Sequence, residues 1–146
     1  MDFHIAGQPV ADPSVLPSAG FTMVTPEYFR TFGIQVTQGR GFTEQDVAGS
    51  LPVAMVNETF VKQYLSDMDP LKQRVVVRQL GQATLGPPIE WNVVGVYHDV
   101  HNRSVRRESS PEISVPFWQS PLPWVQISVR TAGDPAGMAK SITAAV

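Results

Sequence analysis

Apolar residues recur along this chain at two spacings, and each spacing marks a different kind of element. Tyr28, Phe29 and Phe32 fall on one helical face behind Thr25-Pro26-Glu27. In that start Thr25 can cap, Pro26 suits the first helical position and Glu27 suits the positive end of the helix dipole. Gly33 stands where a left-handed residue can end the helix. Asn57 is a cap for a second helix, with Phe60, Val61, Tyr64 and Leu65 as its apolar stripe and Lys62, Gln63 and Ser66 outward. Asp69-Pro70 stops it. Asp134-Pro135 repeats the cap-plus-proline start, and Met138 and Ile142 lie one turn apart on the helix that follows. That helix runs to the last residue, which predicts a piece of a longer protein.

Strand signals fill the spaces between. Phe3–Ala6, Phe21–Val24 and Ile113–Phe117 read as short strands, and Ile34–Val36 as a short extended piece before a turn at Gly39-Arg40-Gly41. Thr43–Asp46 predicts a single helical turn. Pro52–Val56 is a continuous apolar run bounded by turn residues, hence a buried strand. Arg74–Arg78 sets valines between arginines, a half-exposed strand. Ile89–Tyr97 carries the strongest signal: Trp91, Val93 and Tyr97 are assigned to one face and Val94 and Val96 to the other, so its end is buried on both sides. Trp124–Arg130 alternates, with Val125, Ile127 and Val129 on one side. Gln8–Gly20, Leu80–Pro88 and His98–Ser110 read as connections. This order predicts an α+β fold, a mixed, mostly antiparallel sheet with helices on one face.

Composition narrows the function classes. With 146 residues, 42% of them hydrophobic, the chain can bury a core without a disulfide or a metal. A net charge of -2 leaves no electrostatic footprint for nucleic acid or an anionic membrane. The chain has no cysteine, which excludes disulfides, thiol catalysis and thiolate metal sites. No apolar run approaches the roughly 20 residues that span a bilayer, and Met1-Asp2-Phe3 opens no secretory leader. Taken alone, the chain reads as soluble.

Candidate chemistry is sparse. His98, Asp99 and His101 have metal-ligand side chains, and two imidazoles three apart could hold zinc on a helix. Here the segment leaves a strand for a loop, so a solvated loop or a structural cap competes with the metal site, and Asp99 can accept from backbone amides. Glu58 could be an acid or base, but its place at a helix start favours capping. Arg103, Arg106 and Arg107 lie close to Glu108 and Glu112, the pattern of a solvated loop. Asn57-Glu58-Thr59 and Asn102-Arg103-Ser104 match the short glycosylation tripeptide. Trp118 and Trp124 flank a proline-rich loop; exposed, they would mark a partner surface, and otherwise they are core. No glycine-rich phosphate loop or nucleophile elbow is present. The residues themselves therefore predict no catalytic, cofactor or metal site.

A series of anchors resembles the MacB-like periplasmic core domain of ABC-transporter permeases. It begins with Val24-Thr25-Pro26-Glu27-Tyr28-Phe29, Gly33-Ile34 and Gly39-Arg40-Gly41-Phe42-Thr43. It continues with Val53-Ala54-Met55-Val56-Asn57-Glu58, Asp69-Pro70, Val93-Val94-Gly95-Val96 and Asp99. Pro111, Pro116, Val129-Arg130-Thr131 and Gly133-Asp134-Pro135 complete it, and Phe3–Pro9 resembles the preceding strand in one branch. Lys72 stands where the family often has glycine. The resemblance implies a two-lobed extracytoplasmic domain, with residues near 26–123 an inserted α/β module and residues 1–25 and 124–146 parts of the second lobe. It implies no catalysis in the domain, a separate ATP-binding subunit or domain as partner, and coupling of ATP-driven motion to export, extraction or periplasmic partners. Sheet edges left open make a homodimer an expectation. The rivals are a periplasmic ligand- or peptide-binding module and a metal-dependent hydrolase built on His98, Asp99 and His101.

Overall fold

The computed structural model describes residues 1–9, 15–80, 85–100, 109–121 and 125–133, with Pro135, Gly137, Met138 and Ser141 beyond them. Seven strands form one mixed sheet: β1 (Phe3–Ile5), β2 (Gly20–Val24), β3 (Val36–Gly39), β4 (Val53–Asn57), β5 (Arg74–Leu80), β6 (Leu85–Tyr97) and β7 (Glu112–Pro116). Among the described residues two α-helices accompany them, α1 (Tyr28–Phe32) and α2 (Glu58–Tyr64), together with short 3-10 turns at Pro70–Lys72 and Phe117–Gln119; the helix expected after Asp134-Pro135 lies mostly outside the described residues. The strand order is β1-β5-β6-β4-β7-β2, with β3 also paired to β6. β2–β7 and β4–β6 are parallel, and the other pairs are antiparallel. The α+β class with a mixed, mostly antiparallel sheet is thus what the chain adopts.

The sheet curls until its outer strands meet. Phe3 N–H donates to the Pro17 carbonyl at 3.0 Å and Ala19 N–H to the Met1 carbonyl at 3.0 Å. The stretch leading into β2 therefore covers the outer edge of β1, which satisfies backbone groups that would otherwise face water or another chain.

The core has two parts because β4 is buried on both faces. Ala54 and Val56 join Phe3, Ile5, Val75, Val77, Trp91, Val93, Val96, Ile113 and Val115 in the larger cluster, which Phe60 of α2 and Leu65 just after it complete. Val53 and Met55 point the other way, to Val24, Phe29, Phe42 and Tyr97, where α1 lies. One helix serves each face of β4, which corrects the expectation that the helices lie on one face of the sheet.

β6 changes face along its length. Ala54 pairs with Val93 but Met55 pairs with Gly95, so Val94 is an extra, bulged residue. A one-residue slip moves every later side chain to the opposite face. Trp91 and Val93 therefore lie in one cluster and Tyr97 in the other. This corrects the reading that put all three on one face, and it still leaves both faces of the strand end buried.

Three further expectations shift. The described residues of the expected connection at Leu80–Pro88 are strand: β5 ends at Leu80, and β6 begins at Leu85 and pairs with β5 as far as Leu80↔Leu85. The first helix begins at Tyr28, because residues 25–28 make a turn closed by Tyr28 N–H on the Thr25 carbonyl, and no side chain caps it. Residues 125–130 form no strand: Val125, Ile127 and Val129 are 58%, 57% and 50% exposed. Alternation encodes a strand only where a neighbour supplies the ladder, and no described strand pairs with this one. Gly33 ends α1 as expected, at φ 68°, with Ile34 N–H returning to the Phe29 carbonyl at 2.8 Å.

Candidate functional site

Of the predicted chemical residues, Asn57, Glu58, His98 and Asp99 converge at the start of α2, and their hydrogen bonds are committed to holding the fold. Asn57 ends β4 and caps α2. Its Oδ1 accepts from Phe60 N–H at 3.0 Å and from Glu112 N–H at 2.8 Å. Its Nδ2 donates to Asp99 Oδ1 at 2.7 Å and to the Ser110 carbonyl at 2.9 Å. An amide side chain offers two acceptor and two donor positions, so Asn57 is fully satisfied while only 2% exposed. It fastens together the end of β4, the start of α2, the residue pair after β6 and the start of β7. The same burial places the Asn57 amide out of reach of glycosylation; Asn102 lies outside the described residues.

Asp99 completes this hub. Its Oδ1 also accepts from Thr59 N–H at 3.0 Å and its Oδ2 from the Thr59 hydroxyl at 2.7 Å. A carboxylate here satisfies an otherwise orphaned amide and suits the positive end of the helix. The structural-cap reading of Asp99 therefore holds, although the amide it caps is 40 residues distant in sequence. His98 sits beside it with Nδ1 2.9 Å from Glu58 Oε2, both half exposed. His101 lies outside the described residues, as do Arg103, Arg106, Arg107, Glu108 and Trp124. Among the described residues no three of His, Cys, Asp or Glu gather closely enough to hold a metal ion. Glu58 likewise serves as a helix-start residue paired to His98.

Two features of the site escaped the sequence reading. The first is an ion pair between half-exposed Arg40 and buried Asp46 at the Gly39-Arg40-Gly41-Phe42-Thr43 anchor. Arg40 donates to both carboxylate oxygens of Asp46, at 2.8 and 3.0 Å, while Thr43 donates its amide at 2.7 Å and its hydroxyl at 3.1 Å to Asp46 Oδ2. Burial alone would raise the Asp46 pKa, but the Arg40 and Thr43 hydrogen bonds outweigh it and hold the carboxyl below its ordinary value. The partner effect keeps Arg40 firmly charged. The spacing Thr43-x-x-Asp46 was the available signal.

The second is a close crossing of β3 and β6, where Gly39 faces Gly95. A Cβ on Gly95 would overlap the Arg40 carbonyl and press Met55 Cε at 3.0 Å; a Cβ on Gly39 would overlap the Val94 carbonyl. Arg40 N–H donates to that Val94 carbonyl at 2.9 Å. Below this crossing Tyr97 donates to Glu112 Oε2 at 3.3 Å and contacts Ser114 Oγ at 3.1 Å. Burial, then the charge of Glu112, push its phenol far above the ordinary value, so it remains a donor.

Gln119 organises the opposite end of β4. Its Oε1 accepts from Val53 N–H at 3.0 Å, and its Nε2 donates to Ser50 Oγ at 2.8 Å and the Leu51 carbonyl at 2.9 Å. Beside it Trp118 is 49% exposed and packs edge-on against Phe117, which corrects the reading of Trp118 as core.

Comparison with known proteins agrees with this reading of the anchors. A family model described as the MacB-like periplasmic core domain matches residues 6–145. None of the curated proteins matches the chain. Among solved structures, the chain is similar to the periplasmic region of MacB from Actinobacillus actinomycetemcomitans. That likeness has a TM-score of 0.64 at 18% identity and covers 99% of this chain and 60% of that one. A permease-protein domain from Porphyromonas gingivalis gives a TM-score of 0.57 at 12% identity, over 99% of this chain and 63% of that one. At such identities the likeness establishes the fold, and this chain spans less than two thirds of either neighbour. The matched family model extends over nearly every anchor that the structure shows holding a helix end, a strand crossing or the Asn57 hub, and the chain belongs to the MacB-like periplasmic core domain family.

Proposed function

We propose that this chain works as a non-catalytic extracytoplasmic domain of a bacterial ABC-transporter permease, passing ATP-driven movement to export, extraction or periplasmic partners. The observation that carries the reading is how its polar anchors are used. Asn57, Asp99, Asp46, Arg40 and Gln119 direct their polar groups into the protein's own backbone and side chains. A body that transmits force needs this internal bracing, because a packed and internally bonded unit moves as a whole instead of deforming. The family match supports an extracytoplasmic setting, and no helix among the described residues is long and apolar enough to cross a membrane.

The proposal includes the two-lobe division, with residues near 26–123 as the inserted module. Val125, Ile127 and Val129 support it, since their alternating exposed side chains suit a strand paired with further parts of a second lobe. The ATP-binding subunit or domain is the partner this role requires. The test replaces residues 26–123 by a short flexible linker in the full permease, reconstituted with its ATPase in vesicles. ATP hydrolysis should persist while export or extraction is lost. Undiminished transport would contradict the proposal.

A further inference from the structure

We draw no further inference here: the strongest candidate, the exposed apolar patch of Val47, Leu51 and Trp118 that Gln119 fixes at the Val53 end of β4, is an unpartnered face, and nothing in the structure shows what covers it.

Discussion

Replacing Asn57 by alanine should destabilise the chain more than any single exposed-residue change, and the structure sets the size of the loss. The side chain makes four hydrogen bonds. The Phe60 amide loses its cap, worth about 1 kcal/mol. The Glu112 amide loses its acceptor, and Asp99 loses one donor while keeping Thr59; each net loss is about 1 kcal/mol. Ser110 is exposed, so water replaces the donor to its carbonyl at little cost. The total is about 3 kcal/mol, rising toward about 5 if water cannot reach the Phe60 amide. Urea unfolding followed by circular dichroism reads this directly: with a slope of about 2 kcal/mol/M, the midpoint should fall by about 1.5 M. Asn57→Asp is the informative companion. It keeps both acceptor bonds but sets a second carboxylate against Asp99, so its instability at pH 7 should ease as pH falls through the carboxylate range. An Asn57→Ala midpoint within about 0.3 M of the parent, at unchanged slope, would refute the hub.

Three other outcomes follow from the same geometry. Gly95→Ala should cost about 2–3 kcal/mol, because the Arg40 carbonyl it meets is backbone and cannot swing aside; Gly41→Ala, with open space around its Cβ, should stay within about 0.5 kcal/mol, and equal midpoints for the two would dismiss the crossing. Asp46→Asn should cost about 1–2 kcal/mol at pH 7. The folded carboxyl lies below its ordinary value, so Asp46 stabilises above the unfolded value near about 4 and that contribution fades as pH falls through the folded one; parent and variant should converge in acid, and a gap that widened there would reverse the assignment. Zinc titrated into the chain should leave the melting temperature unchanged, since Asp99 is engaged by Asn57 and Thr59; a zinc-dependent rise abolished by His98→Ala would restore the metal reading.

Local signals foretold what local physics decides. Asn57 and Gly33 act through amides within a few residues of themselves, and those roles were legible; Asp69, read as the stop of α2, instead caps the 3-10 turn at Pro70–Lys72 after α2 has already ended at Tyr64. The Pro52–Val56 run supplies Val53–Val56 of β4, all buried, because continuous apolarity demands burial on both faces. What stayed hidden depends on distant partners. The Val94 bulge is defined only against β4, and it reassigns Tyr97. Leu85–Pro88 joins β6 because β5 supplies the ladder, which overrides two prolines that read as a break. Residues 125–130 fail in the opposite sense, with a strand pattern and no described partner. At the site, Asp99 was legible as a cap, but Thr59 as its recipient was not, and the Asp46–Arg40 pair closes only when the chain doubles back after β3.

The central claim is that this domain faces the outside of the cell membrane as part of a permease. The chain has no cysteine, so a single Gln63→Cys on the exposed side of α2 introduces one reporter thiol into it. The measurement is labelling of the full-length protein in intact spheroplasts with a membrane-impermeant maleimide, with the unsubstituted protein as control. The account predicts labelling without permeabilisation; labelling that appeared only after lysis would contradict it.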